Sequence, residues 1–416
     1  MKMTKFKSSE IGPIPVEWEV KRLGELGDVV TGSTPPRGDG ECWGGNFNWI
    51  SAKDFKGKYI VEAEEAITAK GKSFCRLLPS DSVLVTCIAS IGLNAIAKKP
   101  CATNQQINAV ICKVCDNEYL YYQIEAAKDR MIELAGQTAV PIINKGDFEN
   151  LMIPLAPRHE QERIAEALSD VDEFLAAMTT LIEKKRAIKQ GAMQQLFTGK
   201  TRLAGFTGPW VEKRFDDCFE LISNNTFSRE FMCHDAMGIA NIHYGDVLIK
   251  YGTVLDFLKE QVDSLTPSLL IKSGHLKDGD LIIADTAEDE AVGKAVEIQH
   301  LGIRQAVAGL HTIACRPTME FAPGWLGYYI NSSAFHNQLM PLISGTKVSS
   351  ISKAGLRTTG LTIPTLAEKR AIVAVLSDMD AEIAAIEAKY AKYESIKQGM
   401  MQELLTGKTR LKGNKK

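Results

Sequence analysis

The chain has 416 residues, of which 45% are apolar and 24% charged, with a formal net charge of −2. That length allows two or three domains with a sizeable core. No apolar run approaches the ~18 residues of a membrane helix, and the opening Met1–Pro15 lacks the apolar stretch of a signal peptide, so no membrane association and a cytoplasmic location are expected.

The charge is unevenly spread: −1 over 1–157, +1 over 158–208, −5 over 209–365 and +3 over 366–416. No segment has the strongly basic balance that would announce nucleic-acid binding by itself. The nine scattered cysteines read as reduced thiols.

Residues 1–157 read as mixed α/β, rich in strand. The β-rich runs Ser82–Cys87 and Ala109–Val114 are bounded by Gly, Pro, Asp and Asn, and Tyr119–Leu134 reads as a helix. Within Trp49-Ile-Ser-Ala-Lys53-Asp54, Lys53 is a candidate base or phosphate contact. Thr103-Asn104-Gln105-Gln106 sits between two apolar runs. Side-chain amides of Asn and Gln can grip adenine through two hydrogen bonds in the major groove; the alternative is a turn whose amides bond the local backbone. Cys112-Lys-Val-Cys115 has no second pair nearby, which favours buried strand cysteines over a zinc site.

Residues 158–208 are helical. Ile164, Leu168, Val171, Leu175, Met178 and Ile182 recur at alternating spacings of four and three, the a/d seam of a coiled coil. Glycine and proline are absent from Glu160 to Gln190. The seam slips after Ile182 and is expected to resume with Ile188, Met193 and Leu196, and Gly199 stands where a C-terminal cap belongs. The expected helix has about 38 residues and is roughly 57 Å long. Gly199-Lys-Thr imitates a phosphate-binding loop, but such a loop needs Gly at Gln194 and must open a helix. This tripeptide closes one, at the end whose dipole repels anions, so no ATP site is expected.

Residues 209–365 again read as strand-rich, with runs Leu281–Ala284 and His311–Cys315 and a helix over Trp325–Leu339. Asn241-Ile-His243-Tyr244-Gly-Asp246 holds a place comparable to Trp49–Asp54, making His243 and Tyr244 candidate DNA contacts. Lys347, after Gly345-Thr346, is a candidate phosphate contact. The acidic run Asp285–Glu290 reads as a solvated loop rather than an ion site.

Residues 366–416 return to what has gone before. Ile188–Leu203 and Ile396–Leu411 are identical at thirteen of sixteen positions at a constant offset of 208, and Glu160–Leu203 matches Glu368–Leu411 at 22 of 44. Ile372, Leu376, Met379, Ile383, Ile386, Tyr390 and Tyr393 repeat the seam, and Gly407 repeats the cap. The upstream segments share only weak echoes, such as Trp18…Lys21-Arg22-Leu23 with Trp210…Lys213-Arg214-Phe215. The expected class is α+β, a pseudo-two-fold internal repeat in four parts: 1–157, 158–208, 209–365 and 366–416. The chain has no Gly-rich loop paired with an Asn-Pro-Pro-aromatic for methyl transfer, and no nuclease or protease constellation.

An ordered set of residues on this two-copy plan resembles the DNA-specificity subunits of type I restriction-modification systems. Its carriers are Ser9–Trp18, Thr31–Pro35 with Trp49-Ile50, Ile153-Pro154…Glu160-Gln161…Ile164-Ala165…Leu168, and the duplicated Gln190-Gly191…Leu196…Thr198-Gly199. The second copy departs from it, with Glu368-Lys369 for Glu160-Gln161 and no proline matching Pro157.

The resemblance implies that 1–157 and 209–365 are target recognition domains, each reading half of a bipartite, asymmetric site in double-stranded DNA. The helices, with Ile164, Leu168, Leu175 and Ile182 in one and Ile372, Leu376, Ile383 and Ile386 in the other, would pack as an antiparallel coiled coil. That pair would space the domains and dock two methyltransferase subunits, which restriction and translocase subunits would join. S-adenosylmethionine, ATP and Mg would belong to those partners, and this chain would hold no cofactor, metal or catalytic residue. The competing expectation is a coiled-coil scaffold with two modules for ligands other than DNA.

Overall fold

A computed structural model describes residues 5–136, 140–235, 238–266, 269–289, 291–345 and 348–411. The chain groups into two compact units, Met1–Thr179 with Ala388–Lys416, and Thr180–Glu387. Each therefore takes one half of both repeated segments.

The two larger sheets of the first unit are built from β1 (Gly27–Thr31), β2 (Trp43–Ile50), β3 (Tyr59–Ile60), β4 (Glu65–Ile67), β5 (Val83–Thr86), β6 (Asn94–Ala97), β7 (Cys101–Thr103) and β8 (Ile107–Cys112). The main sheet has the order β1-β8-β5-β6-β3, and a smaller one has β7-β2-β4. Val83–Thr86 and Asn94–Ala97 are buried throughout. Both sheet faces are covered there, so no polar–apolar alternation marks these strands.

The second unit holds β9 (Phe219–Ile222), β10 (Ala240–Ile242), β11 (Val254–Asp256), β12 (Leu281–Ala284), β13 (Ala295–Gln299), β14 (Ala306–Ala308) and β15 (Thr312–Pro317). Its main sheet has the order β9-β15-β12-β13-β11. Strand for strand this is the topology of the first unit, down to the parallel edge pair β3/β6 and its counterpart β11/β13.

Two helices expected as single rods are broken. Tyr119–Leu134 is divided between Asn117–Ala126 and Lys128–Ala135. At the break, the Ala127 N–H is shared among the last carbonyls of the first piece, and Ala127 leaves helical geometry at ψ 1°. Trp325–Leu339 is divided between Trp325–Ile330 and Ser333–Leu339. Here Asn331 turns its amide onto both the N–H and the C=O of Ala295 at the sheet, and this tertiary tie overrides helix propensity. Glu297 is buried among the same elements and accepts the Gly324 and Gly327 N–H groups at 2.6 and 3.1 Å, capping the first piece.

The two long helices run Arg158–Phe197 and Leu366–Leu404, about 60 Å each at 1.5 Å per residue. Both are followed by a glycine in the left-handed region, Gly199 at φ 66° and Gly407 at φ 68°. Thr365 Oγ1 accepts the Glu368 N–H and so opens the second helix without the proline that precedes the first. No helix among the described residues is long and apolar enough to cross a membrane.

In the first unit the two helix halves run antiparallel, since Asp172 pairs with Lys397 at 2.5 Å and the Phe174 ring packs at a tilt against that of Tyr393, 4.6 Å between centroids. The second unit repeats this with Lys189–Asp380 at 2.5 Å and Lys185–Glu382 at 2.5 Å. Ile164 and Leu168 lie fully buried in the first unit's core with Trp18 and Tyr122. Ile372 and Leu376 do the same in the second, with Phe215 and Trp325. Leu175 and Ile383 are also buried, and Ile182 and Ile386 are half-buried. The expected resumption of the seam at Ile188 does not occur: that side chain is 48% exposed, and Met193 and Leu196 are buried in the core without it.

Candidate nucleic-acid interface

The candidate contact residues of the first unit meet at the ends of two neighbouring parallel strands. β2 and β7 pair in parallel, so both chains leave the sheet at the same edge. The Asn104 N–H donates to Ile50 O at 3.1 Å and ties the two exits together. After β2, Ser51 N–H donates to the Asp54 carboxylate at 2.8 Å, fixing a tight turn that leaves Lys53 exposed. Lys53 makes no hydrogen bond or ion pair among the described residues. After β7, Asn104 Oδ1 accepts the Gln106 N–H at 3.1 Å and Asn104 Nδ2 donates to Gln106 Oε1 at 3.2 Å. Those two amides thus hold the local turn, and Gln105 between them is exposed.

The second unit builds the same arrangement from other residues. β10 and β14 pair in parallel, and the Gly309 N–H donates to Ile242 O at 2.9 Å as Asn104 does to Ile50. The chain leaves β10 through His243 and Tyr244. His243 is buried, and its Nδ1 accepts the Gly245 N–H at 3.2 Å, capping the helix Tyr244–Ile249. Burial, with Arg229 adding to it, holds the His243 imidazole below its ordinary pKa, which suits an acceptor cap. Tyr244 is half-buried, its ring 4.7 Å from that of His243 and 5.3 Å edge-on from that of His311.

His311 is the residue that sequence reasoning missed. It holds the place of Gln106: Asp285 N–H donates to His311 O as Cys87 N–H does to Gln106 O. His311 takes φ +55°, which non-glycine residues rarely adopt. A second missed group is Arg37, whose guanidinium lies 4.0 Å over Trp43 and 4.6 Å over Trp49 while its two Nη atoms pair with Glu65 at 2.5 and 3.0 Å. The signal available was an arginine a few residues before a tryptophan-bearing strand.

The remaining candidates divide. Lys347 lies outside the described residues, as does Glu290 of the acidic run. Asp285 turns toward His311, and Asp289 Oδ1 accepts the Ala291 N–H. A hydrogen bond with Cys115, then burial, pushes the Cys112 thiol up; Cys112 ends its strand half-buried, and Cys115 lies buried just past it. Ile164, Leu168, Ile372 and Leu376 face their own units' cores, so anything docking on the helices would meet their opposite, charged faces.

Two α/β units thus carry matched loop pairs, and each holds halves of the two repeated helices. Residues 15–188 match the model of the type I restriction modification DNA specificity domain. The chain is 36% identical over 180 residues to the MjaIX specificity subunit of Methanocaldococcus jannaschii, covering 41% of this chain and 42% of that one. The MjaVIII specificity subunit of the same organism is 24% identical over 426 residues, 98% of this chain and 96% of that one. In fold, the chain is similar to one solved in work on complex assembly and conformational transition of the type I R-M system. That match has a TM-score of 0.63 at 18% identity and covers 95% of this chain and 99% of the other. The S subunit from M. genitalium gives 0.55 at 15% identity, covering 97% and 98%.

Proposed function

We propose that this chain is the sequence-reading subunit of a type I restriction-modification complex. One recognition domain reads each half of a bipartite site in double-stranded DNA, and the two long helices set the unread gap between them. The observation that carries this reading is the matched pair of loop sets: Ser51–Asp54 with Asn104–Gln106, and His243–Asp246 with Gly309–His311. They stand on equivalent frames but bear different side chains. Shared frames with unlike tips are what two readers of two different sequences require.

The repeated helix surfaces would receive two copies of one methyltransferase subunit through equivalent contacts, because an internal two-fold presents the same patch twice. Restriction and translocase subunits would join that core. Those partners would bind S-adenosylmethionine, ATP and Mg and carry out the chemistry, and this chain would orient them. They would also supply most of the phosphate neutralisation, which a domain of charge −5 does not.

The test is to express the chain with its modification subunits in cells lacking other methylases and sequence the modified DNA. One split, asymmetric methylated motif is expected. Methylation that does not depend on this chain would instead favour a scaffold for other ligands.

A further inference from the structure

Resting on that reading, we propose that His311 reads a base in the second half-site, its Nε2 accepting a hydrogen bond from an exocyclic amino group, adenine N6 or cytosine N4. Its tautomer follows from its neighbours. Thr286 Oγ1 donates its one proton to Asp285 Oδ1 at 2.8 Å. Toward His311 Nδ1, 3.3 Å away, that hydroxyl can therefore only accept. Asp285 Oδ1, 3.4 Å from the same nitrogen, can also only accept. Nδ1 must carry the proton, so in the neutral ring Nε2 is a bare acceptor. It has no partner among the described residues.

The surroundings suit a reading group. The imidazole is 47% exposed, and the Tyr244 ring stands edge-on to it at 81°, restricting its swing. Its backbone is held at φ +55°, a conformation that costs energy and persists where the fold imposes it. It occupies the position of Gln106 in the first unit, and Gln106 follows the exposed amide of Gln105 at the same strand exit. Adenine N6 and cytosine N4 are the donors that the major groove offers to such an acceptor.

His300 provides an internal control. It too has φ +55°, is 54% exposed, and holds a carboxylate on Nδ1, Asp256 at 2.8 Å, but it follows β13 rather than a strand of the parallel pair β10/β14. The experiment compares His311→Asn, His311→Gln and His300→Asn in the full chain co-expressed with its modification subunits. It reads the methylated motif by sequencing and confirms assembly by gel filtration. Asparagine tolerates positive φ, so the first variant keeps the backbone. Both His311 variants are expected to lower discrimination at one base of one half-site by roughly tenfold, leaving the other half-site and the gap unchanged. His300→Asn is expected to leave the whole motif intact. An unchanged motif in both His311 variants overturns the assignment, and so does a motif altered equally by His300→Asn. A wild-type chain that directs no split motif would overturn the recognition reading itself, a separate result.

Discussion

Arg410 grips Glu160 with both prongs of its guanidinium, Nε to Oε1 and Nη2 to Oε2 at 2.6 Å each, across 250 residues of chain. Trp18 Nε1 donates to the same carboxylate at 3.0 Å. In the second unit Arg202 grips Glu368 at 2.6 and 2.7 Å, and Trp210 Nε1 donates to it at 3.1 Å. Each latch joins three things: the start of one long helix, the residues just past the glycine cap of the other, and the tryptophan near the start of an α/β segment. The repeated Thr-Gly-Lys-Thr-Arg is thus a clasp, and its arginine is the working residue rather than its lysine.

The latches differ in burial, and their loss should differ accordingly. Glu160 and Arg410 are 1% and 7% exposed, Glu368 and Arg202 1% and 26%. Removing one partner of a buried pair strands the other. Glu160→Gln is expected to cost about 3 kcal/mol and Glu368→Gln about 1–2 kcal/mol, the smaller value reflecting solvent access to Arg202. Urea denaturation of each variant checks both values. Equal losses would mean that exposure of the arginine does not govern them.

A second matched contact fastens each domain to a helix. Tyr122 O–H donates to Asp172 at 2.6 Å and Tyr328 O–H to Asp380 at 2.7 Å. Tyr122→Phe and Tyr328→Phe should each cost roughly 1.5–3 kcal/mol, the range for a hydrogen bond to a charged group. Here the two losses are expected to be alike, measured by the same denaturation series. A large asymmetry would argue against equivalent seating of the domains.

Replacing residues 209–365 by the corresponding segment of a relative should change one half of the methylated motif and leave the other half and the gap intact. Sequencing of modified DNA reads the outcome. A swap that scrambles both halves would show that the domains do not read separately.

Without its partners the chain should bind DNA weakly. The second domain carries a charge of −5, so few counterions can be released on binding and the salt dependence should be shallow. Titration of a labelled duplex at two salt concentrations measures this. Tight sequence-specific binding by the chain alone at physiological salt would contradict the proposed division of labour.

The long helices were legible because an a/d period, sustained without glycine or proline and closed by Gly199 and Gly407, has few other solutions. Ile188 escaped the pattern because the seam is interrupted there and nothing in the local sequence reports which side faces solvent. The shared topology of the two units was not legible. Val83–Thr86 and Leu281–Ala284 are short strands buried on both faces, alike only in being apolar, so no alternation marks their register. Loop chemistry was half legible: Asn104–Gln106 and His243-Tyr244 stand out as polar clusters. His311 does not, because its meaning depends on Asp285 and Thr286, some 25 residues earlier in the chain, and on a backbone angle that only the fold imposes.

On the proposed reading, the paired helices are the ruler between two readers. Phe174 packs against Tyr393; five residues onward along the first helix is Thr179, and five back along the second is Ala388. Four residues added after Thr179 and four after Glu387 therefore lengthen both helices at one level and leave every latch and ion pair of each unit in register. The addition is about one turn, roughly 6 Å, with about 40° of extra rotation. One base pair adds about 3.4 Å and roughly 35°. Distance and rotation together predict that the unread gap in the methylated motif grows by about one base pair, at most two, while both half-sites keep their sequence. An unchanged gap with methylation retained would show that the helices do not set the spacing.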